Sequence, residues 1–307
     1  MKVTIIGAGL MGHGLALVFA EGGHDVTITD PFPDTLQTVK TRIAETLTLL
    51  DRDARAVERV TPIASLEASV QGAEFILEAA PEKLELKQQL FEQIEAAAPG
   101  NAILASNTSV IPISKIMARV KAKHRALGTH WWNPPYLVPL VEVIQTPNTS
   151  LDVVNQTIAL MQQLGKVPVH VKKDVPGFVG NRLQHALWRE AISLVENGVC
   201  DAETVDLVVK NSFGRRLAVL GPLENADLIG TDLTLDIHIQ VLSDLENTTT
   251  PSSYLEALVR EGNLGFKSNK GFKPWTDEKK SALRAAVLQH LKTINELLGS
   301  QGGNHAK

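Results

Sequence analysis

Hydrophobic positions in the first half of the chain fall into short β-branched runs separated by longer stretches of helical spacing. Residues 3–6 predict a strand that passes through a glycine-rich turn into a helix carrying Leu10, Leu15, Val18 and Phe19. Residues 25–30 predict a second strand and residues 33–50 a second helix. Residues 74–78 predict a third strand, followed by a helix that places Leu84, Leu86, Leu90, Phe91 and Ile94 largely on one face. Further strands are expected at 102–105, 126–128, 140–144 and 167–171, with a helix over 151–164 before the last. This alternation reads as βαβ units and a parallel, doubly wound α/β sheet. After Pro176-Gly177 the period changes to helical throughout, with helices expected over 183–196, 202–210, 228–245, 254–260 and 279–298. The predicted architecture is therefore a sheet domain over 1–180 and an all-helical domain over 181–307. The first helix of the second domain acts as the hinge, and the small, polar residues 299–307 are expected to fray.

A length of 307 residues suits two such domains, and 44% hydrophobic with 21% charged residues is ordinary globular composition. The formal charge of −4 gives no electrostatic reason to expect a nucleic-acid or membrane-surface partner. No apolar stretch is long enough to span a bilayer. The chain opens directly on a strand-like run, which leaves no room for a targeting peptide, so the expected compartment is the cytoplasm. The single cysteine, Cys200, excludes an intrachain disulfide and a cysteine-based zinc site, and no metal site is expected.

Chemistry first appears in the turn after residue 6. Gly7-Ala8-Gly9-Leu10-Met11-Gly12 follows a strand, opens a helix, and is followed eighteen positions later by Asp30 at the end of the next strand. That is the context of a dinucleotide-binding turn. Gly7 allows the tight turn, Gly9 lets backbone approach a pyrophosphate, and Gly12 lets helix and strand pack. Leu10 and Met11 open the helix whose free N–H groups face the anion. Asp30 accepts hydrogen bonds from ribose hydroxyls and repels a 2′-phosphate, which favours NAD over NADP. Glu82 and Lys87 follow the third predicted strand; they either line the same groove or form a solvated helix start.

Oxidation of a secondary alcohol with NAD requires a base for the hydroxyl proton, and histidine suits neutral pH. His130 lies at a strand end before a Pro-Pro break, in Gly128-Thr129-His130-Trp131-Trp132-Asn133-Pro134-Pro135. Twelve residues on, Glu142 interrupts an apolar strand, where a carboxylate costs stability unless it is paired. The two are read together as base and partner. The adjacent tryptophans form either an aromatic wall around a compact substrate or a plug at a domain interface.

These motifs, together with Ala105-Ser106-Asn107-Thr108-Ser109, residues 176–182 and residues 265–272, resemble the L-3-hydroxyacyl-CoA dehydrogenase family along nearly the whole chain. The resemblance implies a Rossmann domain, a helical C-terminal domain that makes a homodimer, and NAD as cofactor. It places the base on His130, its partner on Glu142, and contacts to substrate oxygen or cofactor on Ser109 and Asn181. It assigns Asp30, Glu82, Lys87 and Asn107 to NAD, and Trp132 and Asn133 to the substrate side. Trp131-Trp132 stands where acyl-CoA members usually have two phenylalanines, and residues 213–222 depart from their usual proline-rich run. Both departures resemble the branch that contains L-gulonate 3-dehydrogenase (lambda-crystallin), carnitine dehydrogenase and a pyridine-carboxylate dehydrogenase. Its substrates carry their own carboxylate, so Arg216, with Arg215 beside it, is the expected carboxylate ligand. Lys40, Arg42, Arg52, Arg55 and Arg59 leave a CoA phosphate site open as the alternative, and aldehyde oxidation or a recruited structural role are the others.

Overall fold

The computed structural model describes residues 1–299, so the expected fraying of the tail lies, beyond Gly299, outside the described residues. The chain divides into two compact units, Met1–Arg182 together with the chain end from Ile294, and Leu183–Thr293.

The first unit is built on one eight-stranded sheet: β1 (Lys2–Ile6), β2 (Asp25–Thr29), β3 (Val60–Pro62), β4 (Phe75–Glu78), β5 (Ile103–Ser106), β6 (Ala126–Trp131), β7 (Leu140–Ile144) and β8 (Val167–Val171). The spatial order is β3-β2-β1-β4-β5-β6-β7-β8, and every neighbouring pair is parallel except β6 and β7. Chain order reverses between β1 and β4, so a crevice opens there at the carboxyl ends of the strands, where doubly wound sheets bind ligands. The helices are α1 (Leu10–Glu21), α2 (Pro33–Gln37), α3 (Val39–Leu49), α4 (Leu66–Val70), α5 (Leu84–Ala97), α6 (Ile113–Ile116) and α7 (Leu151–Gln163).

Alternate residues of β4 supply different cores. Phe75 and Leu77 join Phe19, Ile28, Ile43 and Trp131, whereas Ile76 joins Phe91, Ile94, Leu104 and Ile113. Both faces of the sheet are covered, and for that reason its central strands are apolar runs rather than alternating ones. The expected helix over 33–50 divides at Thr38, whose hydroxyl bonds the Asp34 and Thr35 carbonyls and closes the first segment. β3 was not expected: it is a three-residue edge strand ending in proline, too short for a period.

The second unit holds most of α8 (Gly180–Glu196), then α9 (Ala202–Asn211), α10 (Pro222–Ile229), α11 (Thr231–Val241), α12 (Ser253–Arg260) and the greater part of α13 (Asp277–Gly299). The helix expected over 228–245 is two helices. Gly230 at φ 100° cannot continue a right-handed helix, so α10 ends there and α11 begins. No helix among the described residues is long and apolar enough to cross a membrane.

Candidate functional site

The turn between β1 and α1 is held by steric necessity and by two side chains of opposite charge. Gly7 sits at φ 101°, and a Cβ there would lie 2.8 Å from the Ala79 carbonyl oxygen. A Cβ on Gly12 would lie 1.7 Å from the Gly7 oxygen, so helix and strand meet only because it is absent. Gly9 is the N-cap of α1, and nothing stands within 4 Å of where its Cβ would be. That open cradle beside the uncommitted N–H groups of Leu10 and Met11 fits a pyrophosphate. The Ala8 N–H donates to Asp30 Oδ2 at 2.7 Å, and the Ala8 carbonyl accepts from Arg42 Nη2 at 2.8 Å. Asp30 Oδ1 accepts the Phe32 N–H, which leaves lone pairs on both oxygens for ribose hydroxyls. The donor set and the cradle fit NAD.

Beyond β4 and β5 lies a buried polar network. Glu78 is completely buried and accepts from Lys87 Nζ at 2.6 Å, the Ala80 N–H at 2.7 Å and the Ser106 hydroxyl at 2.6 Å. Lys87 is itself buried, and its amine also donates to the Ala80 carbonyl and lies 3.3 Å from Glu82 Oε2. Glu82 Oε1 gathers the Thr108 hydroxyl and the Ser109 and Val110 N–H groups. Burial pushes the Glu82 carboxyl up, but the Thr108 hydrogen bond, the Lys87 charge and the two N–H groups outweigh it and hold it below the usual value. Glu82 anchors the turn that carries Ser109, while its side chain stays 37% exposed. Lys87 faces its carboxylates and the Ala80 carbonyl, so it supports Glu82 from within the wall.

The third cluster grows from the antiparallel pairing of β6 and β7, in which His130 stands opposite Glu142. Directly opposed residues share a face, and His130 Nδ1 donates to Glu142 Oε2 at 2.7 Å with both side chains buried. A carboxylate at Nδ1 fixes the proton there and leaves Nε2 as the free acceptor. Glu142 Oε1 accepts the Val179 and Gly180 N–H groups at 2.8 and 3.1 Å. These are delivered by a turn in which Gly177 and Phe178 both have positive φ, 73° and 51°. For a phenylalanine that conformation is strained, and the complete burial of its ring against His130 holds it. Burial raises the Glu142 carboxyl, but His130 and the two backbone donors more than reverse this, keeping it below the ordinary glutamate value. Trp132 closes the other side of the imidazole, with ring centroids 5.3 Å apart. Asn181 Nδ2 donates to the Ser109 carbonyl at 2.8 Å, which joins this cluster to the Glu82 turn.

Models of the 3-hydroxyacyl-CoA dehydrogenase NAD-binding domain and C-terminal domain match residues 2–175 and 177–275. The chain belongs to the 3-hydroxyacyl-CoA dehydrogenase family. As a member it is an NAD-dependent oxidoreductase acting on CH–OH groups. Its relatives include 5-formyl-3-hydroxy-2-methylpyridine 4-carboxylate 5-dehydrogenase of Mesorhizobium japonicum, 34% identical over 97% of this chain and 98% of that one. L-carnitine dehydrogenase of Streptomyces griseus is 36% identical over 75% of this chain and 70% of its own. The crystal structure of a 5-formyl-3-hydroxy-2-methylpyridine 4-carboxylic acid 5-dehydrogenase, described as an NAD+-dependent dismutase, superposes with a TM-score of 0.91. It is 32% identical and covers 97% of this chain and 98% of that one.

In this family member the adjacent tryptophans have separate environments. Strand alternation sends Trp131 into the core against Phe19, while Trp132 shares the His130 face. Asn107 accepts the Trp131 N–H through Oδ1, and Asn133 is exposed at the start of the β6–β7 connection. Arg215 and Arg216 lie in the second unit, both exposed, and neither guanidinium takes part in an ion pair among the described residues. Three contributors were not anticipated. Glu78 interrupts an apolar strand as Glu142 does, a signal that was present. Gly180 is required because a Cβ would lie 2.4 Å from Trp132 Cζ2. Gly14, a glycine inside α1, makes room for Pro135, whose Cγ would lie 2.8 Å from a Cβ there.

Proposed function

We infer that the protein oxidises the hydroxyl of a small substrate that carries its own carboxylate, with His130 as general base and Glu142 as its partner. The observation that carries this reading is the end-to-end match to a dehydrogenase named for a pyridine carboxylate. NAD, when bound over the glycine turn, supplies the hydride acceptor. His130 Nε2 takes the hydroxyl proton, and Glu142 holds the ring in its Nδ1–H tautomer and stabilises the imidazolium that results. Ser109 and Asn181, joined by their hydrogen bond, orient the substrate oxygen beside Trp132, and Arg216 supplies the cation for the carboxylate.

Four of the five basic residues that would have served a CoA phosphate are otherwise engaged, which favours a free acid. Arg52 pairs with Glu21, Arg55 with Asp53 and Arg59 with Asp25, while Arg42 holds two backbone carbonyls. Aldehyde oxidation is the second reading, favoured by the formyl group in the name of the full-length relative. In the second unit Leu223, Leu228, Leu235 and Ile239 are each more than 60% exposed, which supports a homodimer formed through this unit. The cytoplasm is the compartment proposed.

A panel of 3-hydroxy acids, carnitine-like alcohols, aldehydes bearing carboxylates and 3-hydroxybutyryl-CoA, followed by NADH formation, tests the reading. Turnover of hydroxy acids is expected, and turnover of the thioester alone overturns it. The His130→Asn variant should bind NADH normally and lose at least about two orders of magnitude in kcat.

A further inference from the structure

The connection between β6 and β7, residues 132–139, sets the register that brings His130 opposite Glu142, yet it contains no regular element of its own. Its backbone is held from outside. Four consecutive carbonyls, those of Pro135, Tyr136, Leu137 and Val138, each accept a hydrogen bond from a side chain elsewhere in the first unit. Lys166 Nζ, just before β8, donates to Pro135 and, at 3.2 Å, to Val138. Arg52 Nη2 donates to Tyr136 at 3.3 Å, and Asn295 Nδ2, near the end of α13, donates to Leu137 at 2.7 Å. The connection's own backbone bonds, Leu137 and Val138 N–H to the Pro134 carbonyl, close only a local turn.

We propose that Lys166, seconded by Arg52 and Asn295, is a positioning residue for the His130–Glu142 pair, acting by clamping the carbonyls of the connection between their strands. The amine also stands 5.6 Å from the centre of the Trp131 ring, so it grips both ends of β6's last turn of chain: the residue next to His130 and the loop that follows. Three donors from three separate places converge on one short run of chain. Alignment of a proton acceptor is sensitive to displacements of about 1 Å, which makes such a clamp consequential for rate.

The energetics separate this role from a merely structural one. Burial, and then the nearby Arg52 charge, lower the Lys166 ammonium to about 8, with Glu21 opposing and Trp131 and Tyr136 offering no further charge. The fold therefore disfavours the charged amine relative to the unfolded chain, and below pH 8 that penalty is present in full. Replacing Lys166 with an apolar chain removes the penalty along with the two hydrogen bonds. The two changes act on melting in opposite directions and offset one another in part, whereas nothing offsets the loss of the clamp.

The inference rests on the pair being the catalytic dyad, but its test reads the hydrogen bond itself. In protein labelled with 15N-histidine, the His130 Nδ1–H signal is assigned by its absence in His130→Asn. Wild type should give a sharp signal. Lys166→Met should shift or broaden it, lower kcat on the best hydroxy acid of the panel about tenfold or more, and leave the NADH Kd within about twofold and melting within a few degrees. Lys166→Arg, which keeps the donors, should recover the signal at least in part. Asn295→Ala, which removes one donor from a half-buried position, should give a smaller shift of the same signal and serves where Lys166→Met does not fold. An unchanged His130 signal in these variants overturns the proposal, as does a loss of signal accompanied by loss of NADH binding. Retained activity in His130→Asn would instead overturn the dyad reading, whatever Lys166 does.

Discussion

Glu142→Gln is the substitution whose consequence follows most directly from the geometry. The carboxylate accepts three N–H groups, one from His130 at 2.7 Å on Oε2 and two from Val179 and Gly180 on Oε1. Glutamine has only one accepting atom. Placing its NH2 toward Val179 and Gly180 sets donors against two donors, at about 1–3 kcal/mol for each group left unsatisfied in the interior. The amide oxygen therefore takes the backbone side, and the NH2 faces His130 Nδ1. That ring nitrogen must then accept, its proton moves to Nε2, and the base is lost. General-base catalysis contributes about 10²–10⁴-fold, so kcat should fall by that amount while NADH affinity is unchanged. The depressed Glu142 carboxyl adds a pH signature. Its stabilisation is present in full above the unfolded-state glutamate pKa and is lost as pH falls through the lower folded value. The melting difference between wild type and variant should thus be largest near neutrality and shrink in acid. Single-turnover NADH formation, NADH titration by fluorescence and melting against pH measure all three. A kcat within threefold of wild type, with the fold intact, would refute the tautomer argument.

Other substitutions probe the neighbouring features. Glu78→Gln strands the buried Lys87 ammonium, with only Glu82 to share it, and should cost about 3 kcal/mol, measured by urea denaturation; an unchanged midpoint would contradict the pairing. Gly180→Ala inserts a methyl 2.4 Å from Trp132 Cζ2, so tryptophan fluorescence should shift and kcat should fall, with an overpacking cost of about 1–3 kcal/mol. Arg216→Met should raise KM for the preferred hydroxy acid about 10–100-fold without altering NAD binding, the loss expected for a charge-assisted carboxylate contact; an unchanged KM removes Arg216 from the site.

The glycine turn and the dyad were legible in the sequence for a common reason: each is local. Gly7, Gly9, Gly12 and Asp30 fall within one βαβ unit, and His130 and Glu142 within one hairpin, so spacing alone brings them together. Glu82 was seen but its bonds to 108–110 were not, because those partners lie on another strand's exit. Lys166, Arg52 and Asn295 were invisible as a group. Each donates to a backbone carbonyl, an acceptor every residue offers, and no residue type advertises that contact. Helix lengths were misread at Thr38 and Gly230, where one side-chain hydrogen bond or one positive φ outweighs an apolar period running through both sides.

The single antiparallel step in the sheet has an implication for how such a protein can diversify. Because β7 doubles back on β6, the inferred proton acceptor His130 and the carboxylate bonded to it lie on one uninterrupted stretch, residues 130–142, and are inherited as a unit. A recombination elsewhere in the gene leaves them on one segment, provided the chain keeps the donors that hold them from positions 179 and 180. The residues inferred to recognise the substrate are scattered, from Ser109 to Arg216, and are free to drift one at a time. Such a lineage can exchange one substrate for another without ever passing through an ancestor that lacks its proton chemistry.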